Sequence, residues 1–277
     1  MEKITLPPVL QRYELKYLVP WSYVEPITDF VLAYCQFDHF SSISEDRFYR
    51  VNGLYFDTRC NEFLEQRLWG KVGRFNMRAR SYETGESPPY YLEIKQKNGQ
   101  GIRKYRATLK EHEWPAILTD SGFQTSKEDT LIEQRNKALY MRLAQAYAIE
   151  PKIFTQYKRR AFFSTIDEYA RVTLDFDMKY REQDLLNFDG DPYSLVPSGS
   201  MNNYDNETIY AVNTFSEASV VLELKCTIGQ VPTWIVDLIS LFQLKQVGFS
   251  KYMQSSLVSR FDNGVGYMSK DRVGLGT

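Results

Sequence analysis

Five segments of this 277-residue chain alternate charged and apolar residues with a period of two, and no other feature restricts its fold as much. Side chains of a strand point alternately to opposite faces, so residues two apart share one. Arg12, Glu14 and Lys16 therefore share a face, with Tyr13, Leu15 and Tyr17 on the other. Arg74, Asn76, Arg78 and Arg80 oppose Phe75, Met77 and Ala79. Glu93, Lys95 and Lys97 oppose Leu92 and Ile94; Arg171, Thr173, Asp175 and Asp177 oppose Val172, Leu174, Phe176 and Met178; Glu223 and Lys225 oppose Val220, Leu222 and Leu224. For any single segment, an antiparallel sheet with one wet face accounts for the pattern. Five strands of long charged side chains, mostly basic, ask for more. If they close into one sheet, the charges all face water or all face a lumen. A charged lumen requires water, acidic partners and an anionic ligand, because unpaired buried charge is costly.

Strands are expected at roughly 12–19, 47–56, 72–83, 90–97, 101–109, 152–163, 169–180 and 219–226. Helices are expected from Pro20 towards Cys35, and over Lys127–Tyr147, Pro232–Leu244 and Ser250–Arg260. The second of these has apolar spacing near three and four with acidic residues in its first turn. Asn98-Gly99 falls where a hairpin turn belongs. The polar segment 184–218 reads as a long excursion, and the tail 261–277 has little to bury. No linker composition divides the chain, so one domain over 1–277 is expected. Aromatic content of 15%, with 20 Tyr and 17 Phe, suits half-buried strands.

Net charge is -1, so a polyanion ligand requires its cations gathered in one place and offset elsewhere. Nucleic-acid binding is disfavoured, since the basic residues follow strand faces and not a recognition helix. There is no Walker A sequence. The three cysteines, Cys35, Cys60 and Cys226, are far apart and read as reduced cytoplasmic thiols. With His39 and His112 the only histidines, His-based triads and metal sites find little material. No apolar stretch reaches spanning length; Trp234–Leu244 is broken by Asp237.

One spacing recurs. Tyr13-Glu-Leu-Lys16, Leu92-Glu-Ile-Lys95 and Leu222-Glu-Leu-Lys225 each set a carboxylate and an ammonium two apart on one strand face. Such a pair suits a divalent metal beside phosphate oxygens.

These stretches, in order, resemble the VTC (vacuolar transporter chaperone) catalytic domain of the triphosphate tunnel metalloenzyme superfamily. The matching segments are Arg12–Tyr17, Val51–Asp57, Arg78-Ala-Arg80, Glu93–Lys97, Tyr157–Phe162, Arg171–Asp175, Glu223-Leu-Lys225 and Phe249–Tyr252. The resemblance implies an α+β fold: an antiparallel eight-stranded β-barrel, a tunnel, with helices packed outside. It implies a polyphosphate polymerase that takes phosphate from ATP, releases ADP and needs a divalent metal, Mn2+ or Mg2+. It assigns catalytic contacts to Lys16, Arg78, Arg80, Lys95, Arg159, Arg171 and Lys251. Further phosphate contacts fall to Arg12, Lys97, Lys225 and Ser250. The metal ligand would be Glu223, with Glu14 and Glu93 either completing the shell or neutralising neighbouring lysines. Hydrolases and cyclases of the superfamily typically open on an ExExK strand; here Arg12 replaces the first Glu, which fits a polymerase or binding branch. A non-catalytic polyanion binder and a triphosphate hydrolase remain the alternatives. A cytoplasmic location is expected. The inositol-phosphate-sensing domain and membrane helices of fungal members are not expected, which leaves translocation to a separately encoded membrane partner.

Overall fold

The computed structural model describes residues 12–82, 90–99, 101–183, 186, 202–203 and 218–261. Most of the 184–218 excursion and of the 261–277 tail lies outside the described residues. The strands are β1 (Arg12–Pro20), β2 (Cys35–Phe37), β3 (Tyr49–Asp57), β4 (Gly73–Tyr82), β5 (Tyr90–Asn98), β6 (Gly101–Leu109), β7 (Glu150–Ser164), β8 (Ala170–Glu182), β9 (Asn202–Asn203) and β10 (Ala218–Thr227). The helices are α1 (Val24–Leu32), α2 (His39–Ile43), α3 (Glu62–Leu68), α4 (Ala116–Thr119), α5 (Leu131–Ala146), α6 (Thr233–Leu241) and α7 (Lys251–Phe261).

The strand order is β1-β10-β8-β7-β3-β4-β5-β6, with β2 beside β7 and β9 beside β8. Its two ends, β1 and β6, do not pair. The α+β class with helices packed on an antiparallel sheet therefore stands, but the expected closed β-barrel does not: among the described residues the sheet is open, with β1 and β6 at its two edges. Alternation fixes which way a side chain points; it does not fix whether two edges meet. Each edge here is covered by something other than a strand. At β1, Val247 donates its N–H to the Lys16 carbonyl at 2.8 Å, and Tyr17 bridges to Gln246. At β6, the side-chain amide of Asn136 in α5 donates to the Arg106 carbonyl at 2.7 Å. Occupied edge groups do not recruit a further strand.

Two compact units are distinguishable. Of the described residues, one comprises those within 52–154 and 183–197; the other comprises those within 12–51, 155–182 and 198–261. In the first, β4, β5 and β6 form a meander. Arg78 stands opposite Glu93, and Glu93 opposite Arg106. The β5–β6 turn needs a left-handed residue, which Gly99 supplies at φ +59°. The apolar face of the meander (Met77, Ala79, Leu92, Ile94, Ala107) is buried, and an aromatic cluster of Phe56, Trp114 and Tyr140 is buried in the same unit. Asp57, which closes the Val51–Asp57 motif, is buried and accepts the N–H groups of Phe63 and Leu64 at 2.8 and 2.9 Å. It satisfies otherwise orphaned donors at the start of α3. That motif residue has a structural role.

In the second unit, β1, β10 and β8 form an antiparallel sheet with Lys16 opposite Glu223 and Glu223 opposite Thr173. Their apolar face supplies Tyr17, Val19, Leu222, Leu224, Val172 and Leu174 to the core, closed by Val24, Ile27 and Val31 of α1 and Trp234, Ile235 and Leu238 of α6. The alternation in β8 ends at Asp177, whose φ of +46° breaks the extended repeat.

Candidate functional site

The polar faces of the two sheets carry two clusters of charge, each inside its own unit. In the first unit, ladder partners share a face. Arg74, Arg78 and Arg80 of β4 thus lie with Lys95 and Lys97 of β5 and Lys104 and Arg106 of β6, seven cations against one carboxylate, Glu93. That carboxylate organises the arginines. Arg78 Nε donates to Glu93 Oε2 at 2.6 Å, Arg80 lies 3.8 Å from the same oxygen, and Arg106 lies 3.9 Å from Oε1. Aromatic rings support the guanidinium groups: Arg106 sits 3.7 Å over Tyr91, while Arg78 and Arg80 donate to the hydroxyls of Tyr55 and Tyr82. Burial pushes the Glu93 carboxyl up, but Arg78, Arg80 and Arg106 together push it further down, well below the usual carboxylate range.

A group whose folded pKa is depressed contributes stability that is present above its unfolded value and lost as pH falls through the folded one. Glu93→Gln is expected to lower the urea midpoint at neutral pH. The gap to the parent should narrow below about pH 4, where the unfolded carboxyl of the parent takes up its proton. A gap equally wide at pH 7 and pH 3 would remove Glu93 from this role.

In the second unit, Asp175 is the organiser. Its side chain is only 4% exposed. It accepts both Nε and Nη2 of Arg159, at 2.7 and 2.8 Å, and Nζ of Lys251 at 2.6 Å. Lys251 Nζ also lies 4.1 Å from the Tyr157 ring centroid. Burial raises the Asp175 carboxyl, and Arg159 and Lys251 more than reverse it. On the same face Glu223 meets Lys225 at 2.8 Å and Lys16 at 3.8 Å, and Lys16 also donates to the Phe249 carbonyl at 2.9 Å. Burial acts upward on Glu223; Lys225, Lys16 and Arg159 hold it well below the ordinary range. Arg171 reaches Asp38 at 3.4 Å. Its Nε and the hydroxyl of Thr173 are buried without a hydrogen-bond partner, beside Lys225 and Glu223 in the ladder.

The sequence-derived residues thus fall into two groups. Arg78, Arg80, Glu93, Lys95 and Lys97 share the first face; Glu14, Lys16, Arg159, Arg171, Glu223, Lys225 and Lys251 belong to the second unit's cluster. Arg12 stacks on Tyr169 at 3.6 Å, at the far end of β1 opposite Thr227. Ser250 Oγ accepts the Met253 N–H at 3.4 Å and so serves the first turn of α7. Arg106, Lys104 and Asp175 were not singled out from the sequence. Extending the alternation across the Asn98-Gly99 hairpin into β6 yields the first two, and Asp175 stood on an identified face without a role.

A family described as the VTC domain matches residues 11–259. The chain belongs to the VTC domain family. As a VTC domain it is a catalytic domain of triphosphate and polyphosphate chemistry. No curated protein sequence matches it. Among solved structures it is similar to a candidate adenylate cyclase from Bacillus halodurans, at 13% identity over 89% of this chain and 98% of that one, with a TM-score of 0.48. A candidate adenylyl cyclase from Hippeastrum, with a dominant triphosphatase activity, shares 12% identity over 88% and 95% of the two chains, at a TM-score of 0.43.

Membership of the family implies a metal-dependent site. Among the described residues no group of three or more His, Cys, Asp or Glu side chains lies together. A cage built from protein ligands alone is therefore not found among the described residues. Glu223, with Glu14 diagonal to it across the β1–β10 ladder, fits a hard cation that keeps waters and takes its remaining ligands from phosphate. No described helix is long and apolar enough to cross a membrane.

Proposed function

We propose that this VTC domain is a polyphosphate polymerase. The terminal oxygen of a polyphosphate chain attacks the γ-phosphorus of ATP, the bond from that phosphorus to the β–γ bridging oxygen breaks, and ADP leaves. The observation that carries this reading is the face of β4–β6, to which the three strands contribute seven cations and one carboxylate. A face so rich in cations suits an extended anion of repeating charge, and polyphosphate is one. Phosphoryl transfer depends on positioning and charge neutralisation more than on covalent chemistry, which matches a set without a nucleophile.

The geometry supports the following roles. Arg78, Arg80 and Arg106, spaced by Glu93, grip non-bridging oxygens in pairs through guanidinium forks; Lys95, Lys97 and Lys104 act as point charges. In the second cluster Arg159 and Lys251, aimed by Asp175, bind phosphate with Lys16, Arg171 and Lys225. The Thr173 hydroxyl, which has no protein partner, donates to a phosphate oxygen. Glu223, with Glu14, would hold Mn2+ or Mg2+, and that ion would supply neutralisation of charge on the leaving group. Glu93 is assigned to arginine spacing and not to metal. With ATP as donor and three free thiols, Cys35, Cys60 and Cys226, the reaction belongs in a reducing cytoplasm.

Incubation with ATP and Mn2+, with products resolved on a polyphosphate-stained gel and ADP assayed in parallel, tests the reading. A ladder with matching ADP is expected. Free phosphate without a ladder indicates a hydrolase, and tight polyphosphate binding without turnover indicates a binder. Glu223→Gln is expected to raise the Mn2+ concentration needed for half-maximal turnover by about tenfold or more, as loss of a ligand or its support does elsewhere. An unchanged titration takes Glu223 out of the metal role.

A further inference from the structure

The turn between α3 and β4 presents apolar side chains outward on a rigid backbone. Trp69 is 80% exposed, Val72 65% and Leu68 48%. The backbone holding them is fully engaged. Trp69 N–H donates to the Glu65 carbonyl at 2.9 Å, Gly70 N–H to Arg67 at 3.1 Å and Lys71 N–H to Gln66 at 2.9 Å. Gly70 takes the left-handed conformation that this helix ending requires, at φ +63°. Beyond it, the Val72 carbonyl accepts the Gly99 N–H, which ties the turn to the β5–β6 hairpin. The indole is therefore held out of the core by fixed geometry, and a single turn presents three large apolar groups to solvent.

Charge surrounds them asymmetrically. Lys71 and Arg74 flank the tip and no acid occurs from Gln66 to Arg80, while Arg78 and Arg80 further along β4 are committed to Glu93. Lys97 stands opposite Arg74 in the ladder. Glu62 and Glu65 are the acids of the preceding helix, and Glu62 accepts from Gln66 at 2.8 Å. Three side chains are far fewer than the roughly 20–30 residues a side of a specific protein interface. They suffice to seat a tip in a bilayer surface, where Trp favours the headgroup level and each neighbouring Lys or Arg adds attraction to anionic lipid.

We propose that the Leu68-Trp69-Val72 tip docks this domain on an anionic lipid surface, with Trp69 inserted at the headgroup level and Lys71 and Arg74 facing lipid phosphates. The docking does not depend on the polymerase reading. Flotation of the intact chain with vesicles tests it, using phosphatidylcholine alone and an equal mixture of phosphatidylcholine and phosphatidylserine. The parent chain is expected to float with the mixed vesicles only, and less as salt rises. Trp69→Glu is expected to weaken that binding about tenfold or more through loss of apolar burial. Val72→Asp should weaken it as well, and both variants should retain ATP turnover in vesicle-free solution. The proposal is overturned if the parent stays in solution. It is equally overturned if Trp69→Glu floats as well as the parent, which would assign lipid binding to the cationic sheet face. Loss of self-association in Trp69→Glu, with no lipid binding in the parent, would assign the tip to a second copy of the chain instead.

Discussion

Arg159→Ala is expected to reduce ATP turnover by about a thousandfold, because one substitution removes two cations. The guanidinium itself is lost. The Asp175 carboxylate, which Arg159 neutralises through Nε and Nη2, is then left facing Lys251 alone. An ammonium committed to a buried carboxylate has less to give to phosphate. Arg159→Lys should recover only part of the loss, since a point charge does not reproduce two parallel donors. Pairing Arg159→Ala with Asp175→Asn separates stability from function. Removing one member of a buried pair costs roughly 3–5 kcal/mol, and removing the charge of its partner restores much of that. The double variant should therefore approach the parent in its urea midpoint while its turnover stays low. If turnover returns with stability, Arg159 is a structural cation and the second cluster is not a phosphate site.

Period-two alternation was enough to place the principal strands and to sort their side chains into faces. Arg78, Arg80, Glu93 and Lys95 share one face as that pattern requires, and Lys16, Glu223 and Lys225 share another. What alternation does not encode is partnership. The recurring carboxylate–ammonium spacing looked like one device used three times. In the structure Glu223 does pair with Lys225, two residues along its own strand, but Glu93 turns to arginines on two neighbouring strands. Cross-strand register made that choice, and register depends on the Asn98-Gly99 turn and on β4 pairing, neither of which the Glu93-Lys95 spacing encodes.

Closure of the sheet was illegible for the same reason. Nothing in Arg12–Tyr17 announces that Gln246 and Val247 will occupy the β1 edge, and nothing in Gly101–Leu109 announces Asn136 of α5. The short elements β2, α2 and α3 also escaped notice. Each is too brief to show a period, and α2 and α3 depend on the carboxylates of Asp38 and Asp57, whose role shows only once their backbone N–H donors are seen. Arg171 is aimed by Asp38, so a helix cap and a site residue share one carboxylate.

Lys137→Met should be the most destabilising single change in the unit formed around β4–β6, without touching its cationic face. Lys137 lies in α5, an amphipathic helix, yet its side chain is 0% exposed. Its ammonium donates to both oxygens of Glu113, at 2.8 and 3.0 Å, and to Asp129 Oδ2 at 2.7 Å. Those carboxylates in turn hold backbone: Glu113 accepts the Lys110 N–H at 2.8 Å, and Asp129 accepts the Ser126 N–H at 3.1 Å. One cation thus ties the 110–113 turn and the 126–129 turn to the helix that covers β6. Methionine fills the volume but leaves two carboxylates with little water and no counter-charge, at a cost of about 3–5 kcal/mol. Adding Glu113→Gln and Asp129→Asn to Lys137→Met removes the stranded charge while keeping side chains that still accept the backbone bonds. That triple variant is expected to recover most of the urea midpoint. If Lys137→Met alone leaves the midpoint unchanged, the triad offsets its own desolvation and no more. α5 would then be held on β6 by Tyr140, its aromatic neighbours and the Asn136 bond alone.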